Sequence, residues 1–163
     1  MKGWQAITHF KRLQNVEKET DDFLRVASLL KERQGPILFQ LPPSFKKDIP
    51  TLYAFLKHIA GRAKVAIEFR HDTWFGDELY DGLRARLAVL CVAHGDDMPQ
   101  TNLVRTADWA YLRLRDNYPD ERLRDWLKEI RSHGWDDTYV FFMHEDSGIG
   151  PKMATRFLEL AGA

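Results

Sequence analysis

Val65-Ala66-Ile67-Glu68-Phe69-Arg70-His71-Asp72-Thr73-Trp74-Phe75 starts as an apolar strand and ends in ionisable side chains. At period two, Val65, Ile67 and Phe69 share one face, and Glu68 and Arg70 share the other. Apolar residues on both faces at the start predict burial on both sides, the habit of a parallel strand. Placing charges there costs several kcal/mol per ion, so Glu68 and Arg70 need mutual pairing or a ligand. In α/β folds the C-terminal end of such a strand is where sites are built.

Outward from this segment, strand and helix patterns alternate. Upstream, Phe23, Val26, Ala27 and Leu30 have helical spacing before Gly35-Pro36, and Ile37 to Leu41 is a short apolar strand closed by Pro42-Pro43. Asp48 is placed to cap a helix with the face Leu52, Phe55, Leu56 and Ile59, stopped at Gly61. Downstream, Leu79, Leu83 and Leu87 predict a helix leading into the strand Ala88 to Ala93. A strand over Trp109 to Leu114 precedes a helix bearing Leu123, Trp126, Leu127 and Ile130. Thr138 to Met143 is the last strand, and Met153, Ala154, Phe157 and Leu158 line the last helix. This order predicts βαβ units around five parallel strands, with Gln5 to Thr8 as the stub of a sixth. A closed (β/α)₈ barrel usually needs about 250 residues. At 163 residues the chain is expected to form one domain, either an open sheet or the C-terminal part of a barrel. His94 to Ala107 joins two strands without a helical pattern, as functional loops and plain surface excursions both do.

Composition narrows the function classes. Hydrophobic residues make up 44% of the chain, which marks it as globular. Acidic and basic residues number 24 each, so net charge supplies no general affinity for nucleic acid or membrane. The single cysteine, Cys91, sits in an apolar run and reads as a small buried hydrophobe. No apolar run approaches the ~18 residues of a membrane span, and no signal peptide opens the sequence, so cytoplasm is the expected compartment.

Strand parity points to a site. Gln40, Glu68, Arg70 and Arg113 all lie on the polar parity of their strands, which predicts that they face one interior near one rim. A salt-bridge network that only fixes strand register has the same pattern, and crowded ionisable groups mark functional sites in only part of the cases. His9, His71, His94 and His144 lie at or just beyond strand ends, with Glu68, Asp96, Glu145 and Asp146 near in sequence. Imidazole and carboxylate form the ligand set of hydrolytic metal sites, yet no His-Glu-x-x-His spacing occurs, and no metal ligand or cofactor is assigned.

Several motifs resemble one family. They are Thr8-His9 with Lys11-Arg12-Leu13, Leu38-Phe39-Gln40-Leu41-Pro42-Pro43-Ser44-Phe45, Ile67-Glu68-Phe69-Arg70-His71 with Trp74-Phe75, and Thr106-Ala107-Asp108 before Tyr111-Leu112-Arg113-Leu114. Together they resemble the domain of unknown function 72 family, the YecE-like proteins, in order over nearly the whole chain. The resemblance implies a TIM-barrel-like fold and no established activity. It also implies further βα units ahead of this sequence, so the chain is expected to be a partial domain, roughly the last two thirds. Such a domain would have sheet edges free for self-association at the stub before His9 and at Thr138 to Met143. Many members of that family end the last strand with asparagines; here it reads Phe142-Met143-His144-Glu145-Asp146, an acidic ending that resembles one branch of the family.

The leading expectation is a barrel enzyme, or its remnant, that holds a small polar or anionic ligand at the strand C-terminal rim. Glu68, Arg70 and His71 are the expected catalytic residues, and Gln40, Arg113 and His9 the ligand-binding ones. One alternative is a metal-dependent hydrolase of phosphoester or nuclease-like type using His71, Glu68, His144 and Asp146. The other is a non-catalytic ligand-binding or interaction protein.

Overall fold

The computed structural model describes residues 1–95, 98–99, 101–143 and 148–162. Five strands, β1 (Ile37–Gln40), β2 (Val65–Glu68), β3 (Val89–His94), β4 (Trp109–Leu114) and β5 (Asp137–Phe142), form one sheet. Their spatial order follows the chain and every neighbouring pair is parallel. Parallel neighbours require crossovers. Three of the four are supplied by α2 (Ile49–Ile59), α3 (Asp77–Arg84) and α4 (Asp120–Ser132), and β3 is joined to β4 without a helix among the described residues; α1 (Glu17–Ala27) lies before the sheet and α5 (Ile149–Ala161) after it.

The side chains behind these elements are mostly those their spacing predicts. Asp48 caps α2, accepting from the Thr51 N–H at 3.0 Å, and Leu52, Phe55, Leu56 and Ile59 are its buried face. On α4 the buried face is Leu123, Trp126, Leu127 and Ile130. Three helical faces differ from expectation. The buried stripe of α1 is Thr20, Phe23, Leu24 and Ala27, which leaves Val26 off the packed face, and Leu30 is exposed in the 3₁₀ segment that follows at Ser28–Arg33. α3 ends at Arg84, so Leu87 falls in a turn with positive φ and is 75% exposed. On α5, Met153 and Phe157 are buried while Leu158 is exposed.

The sixth-strand stub is also displaced. Ala6–Phe10 forms a π-helical turn, and the β1 edge is met by Lys2, which makes a parallel bridge to Leu38. Gly3 permits this approach: a Cβ there would lie 2.4 Å from the Phe39 ring.

The two faces of the sheet are chemically distinct. On the helix side, Ile37, Phe39, Leu41, Val65, Ile67, Phe69 and Leu90 join one core cluster with α1 to α3. Val92, Leu112 and Leu114 join a second with α4 and α5. The opposite face carries a smaller apolar layer of Leu38, Ala66, Val89, Cys91, Trp109 and Tyr111. Between the halves, β2 and β3 share only the register pairs Ala66↔Val89 and Ile67↔Leu90. The connection from His94 to β4 is more than a surface excursion: Leu103 enters the second core cluster, and the buried Thr106 hydroxyl accepts from the Leu90 N–H at 3.3 Å.

Candidate functional site

Gln40 and Glu68 are the last residues of β1 and β2 and are direct neighbours in register. Both turn away from the helices, and Glu68 has no exposed surface at all. A carboxylate buried in this way needs several donors. Gln40 Nε2 donates to Glu68 Oε1 at 2.7 Å, and Arg113 Nη1 donates to Glu68 Oε2. Arg115 Nη2 lies 3.6 Å from Oε1. The Arg113 contact spans a strand, since β3 separates β2 from β4. Small side chains make room for it: Ala93 is the register partner of Arg113, and Cys91 Sγ lies 4.0 Å from Glu68 Oε2. Burial, and then the Glu68 charge, push the Cys91 thiol well above its usual range, so it remains protonated.

Lys2 completes the group. Its Nζ donates to Gln40 Oε1 at 2.7 Å. Burial and the charges of Arg113, Arg115 and Arg70 lower its pKa, against an opposing pull from Glu68. His9 belongs to the same environment: burial, followed by Lys2 and Arg70, lowers its pKa, and its Nδ1 lies 2.8 Å from the Thr8 hydroxyl. The Nε atoms of Arg70 and Arg115 are buried without a hydrogen-bond partner among the described residues.

Of the residues expected at a site, Gln40, Glu68 and Arg113 are bonded into one network. Arg70 and His9 lie within its electrostatic reach. His71 is used differently, its Nδ1 accepting from the Thr73 N–H at 3.2 Å to cap the short turn Asp72–Trp74. Trp74 is buried behind that turn and donates to the Phe45 carbonyl at 2.7 Å. His94 turns to the helix side, where Nδ1 lies 2.7 Å from the Tyr118 hydroxyl and 3.2 Å from Asp116. Asp96, His144, Glu145 and Asp146 lie outside the described residues. Among the described residues no group of three or more His, Cys, Asp or Glu is arranged to hold a metal ion. Lys2 was missed because a lone lysine two residues into the sequence offers no periodicity. Arg115 continues the Tyr111–Arg113 parity, and that was its available signal.

The family model described as "Protein of unknown function DUF72" matches residues 1–163. The chain belongs to the DUF72 family. This DUF72 chain is similar to the crystal structure of a DUF72 family protein from Thermotoga maritima MSB8. The two are 24% identical, with a TM-score of 0.79 over 99% of this chain and 71% of that one. It is also similar to two crystal structures of a DUF72 family protein from Enterococcus faecalis V583. One is 15% identical with a TM-score of 0.83 over 100% of this chain and 74% of that one. The other is 14% identical with a TM-score of 0.82 over 100% and 77%. At these identities the likeness is one of fold, and the DUF72 chain has the TIM-barrel-like (β/α) arrangement. No curated protein matches it. Among the described residues no helix is long and apolar enough to cross a membrane.

Proposed function

We propose that this chain binds a small anionic ligand, one bearing carboxylate or phosphate groups, at the C-terminal rim of its strands. Arg70, Arg113 and Arg115 are the anion clamps. Gln40 and His9 are hydrogen-bonding partners, and Glu68 is the buried anchor that holds the clamps in place. The observation that carries this reading is an imbalance of charge. Among the described residues, Lys2, Arg70, Arg113 and Arg115 act on one another around the single carboxylate of Glu68. Arg70 and Arg115 each keep a buried Nε without a hydrogen-bond partner among the described residues. Planar guanidinium forks suit carboxylate and phosphate, and an arriving anion would relieve the mutual repulsion of the cations. The metal-dependent hydrolase gains no support from the described residues, since His71 is engaged in its own turn.

The test is calorimetric titration with inorganic phosphate and with short mono- and dicarboxylates, at low and high salt. Saturable binding that weakens with salt is expected. Arg70→Ala should weaken it roughly ten- to hundredfold, the range of a lost charge-assisted hydrogen bond. If none of these anions binds saturably at roughly millimolar concentration, the reading fails.

A further inference from the structure

We infer that Lys2 is a nucleophilic amine, and that the anion held beside it is a keto acid whose carbonyl carbon the Lys2 Nζ attacks. This rests on the anion-binding reading of the same site and names the ligand class. The decisive feature is what stands between Lys2 and Glu68. Glu68, an acceptor only, takes the Gln40 amide N–H, which turns the Gln40 carbonyl oxygen toward Lys2. Lys2 is thus oriented by a neutral oxygen, and the carboxylate is engaged by Arg113 and Gln40. Such an arrangement fixes the position of an amine that, among the described residues, has no ion pair to hold its extra proton. The backbone is fixed as well: the Gly3 N–H donates to the Leu38 carbonyl at 2.8 Å, and the Leu38 N–H donates to the Met1 carbonyl at 2.9 Å. Lys2 as a whole residue is exposed, its bond to Gln40 is half-buried, and Glu68 lies fully buried.

The charged and titratable groups that act on Lys2 come from three directions. Arg113 and Arg115 on and after β4, and Arg70 after β2, disfavour the ammonium form; Glu68 favours it. His9, whose own pKa Lys2 depresses, faces it from the N-terminal turn. Desolvation and neighbouring cations are the two general means of activating a lysine amine. The same guanidinium groups would hold the keto acid's carboxylate while the adjacent carbonyl meets Nζ. In the step itself the nitrogen lone pair forms the C–N bond and the carbonyl π bond breaks. The two amine protons then leave with the carbonyl oxygen as water, giving the imine.

The experiment treats the full chain with pyruvate and cyanoborohydride, the hydride donor that reduces an imine to a stable secondary amine. Peptide mass spectrometry with fragmentation then locates the carboxyethyl group. Lys2 should be modified severalfold faster at neutral pH than the exposed Lys18 and Lys57, since an amine held in place and with a lowered pKa presents more of its neutral form. Inorganic phosphate should protect it. Lys2→Arg should abolish the fast modification, and Gln40→Glu, which gives the ammonium an ionic partner, should slow it at neutral pH and restore it at higher pH. Modification of Lys2 no faster than of Lys57, or confined to the Met1 amine, overturns the inference. If the wild-type chain binds phosphate by calorimetry all the same, the anion-binding reading survives that failure. Fast modification of Lys2 that phosphate does not slow would instead overturn the shared site.

Discussion

Ile67 and Glu68 are adjacent on β2 and both have no exposed surface, yet they belong to opposite regimes. Ile67 joins a continuous apolar cluster on the helix side. There each buried aliphatic side chain contributes about 1.5–3 kcal/mol with no demand for direction. Glu68 lies on the other face, where burial costs several kcal/mol and is offset only while Gln40, Arg113 and Arg115 keep their geometry. Equal burial therefore does not mean equal role. The helix side secures the fold, and the inner rim spends part of that stability on a fixed arrangement of charge.

The sharpest way to break this contrast is Glu68→Ala. It leaves Arg113 buried without its counter-ion and should cost ~3–5 kcal/mol in urea denaturation, and anion binding should be lost with it. Ile67→Ala, one residue away, should cost ~2–5 kcal/mol by leaving a cavity. In the folded population, however, anion affinity should be unchanged. If Ile67→Ala also abolishes binding, the two faces are not separable. Asp48→Ala, on neither face, removes the α2 cap and should cost about 1 kcal/mol by the same denaturation assay, with binding intact.

Tyr111→Phe should show the smallest effect at neutral pH and a clear one in alkali. Burial raises the Tyr111 phenol from 10.0 to about 12. Between these values the folded protein keeps a proton that the unfolded chain has released. Its contribution is therefore complete below pH 10 and lost as pH rises toward 12. Thermal melts across this range should fall less steeply in the variant than in the wild type. Tyr118, raised by burial to about 12 as well, supplies a remaining slope of the same sign.

Much of the fold was legible because each strand carries its own address. Period two in Val65 to Phe69 gave burial on both faces, and the same parity pointed Gln40, Glu68 and Arg113 to one interior. Local patterns failed where the backbone changed its pitch. Leu30 keeps helical spacing in the sequence but falls in the 3₁₀ segment, where it is exposed. Leu87 continues the heptad-like run of leucines past the end of α3. At the site, parity could not separate a residue that joins the network from one that caps its own turn. That distinction placed His71 outside the bonded group and depends on Thr73 two residues on. Lys2 was illegible for another reason: its place follows from a bridge to Leu38, far along the chain.

The Glu68–Arg113 contact has a consequence for how the molecule comes apart. Two register pairs form the seam between β2 and β3, and the apolar layer of Leu38, Ala66, Val89, Cys91, Trp109 and Tyr111 runs across it. The Glu68–Arg113 contact passes over β3 and ties β2 to β4 across that seam. The residues that gather charge at the rim thus also act as a clasp between the halves. Because a ligand that binds only the folded state stabilises it, hydrogen exchange in β1 and β2 should slow when an anion occupies the proposed site.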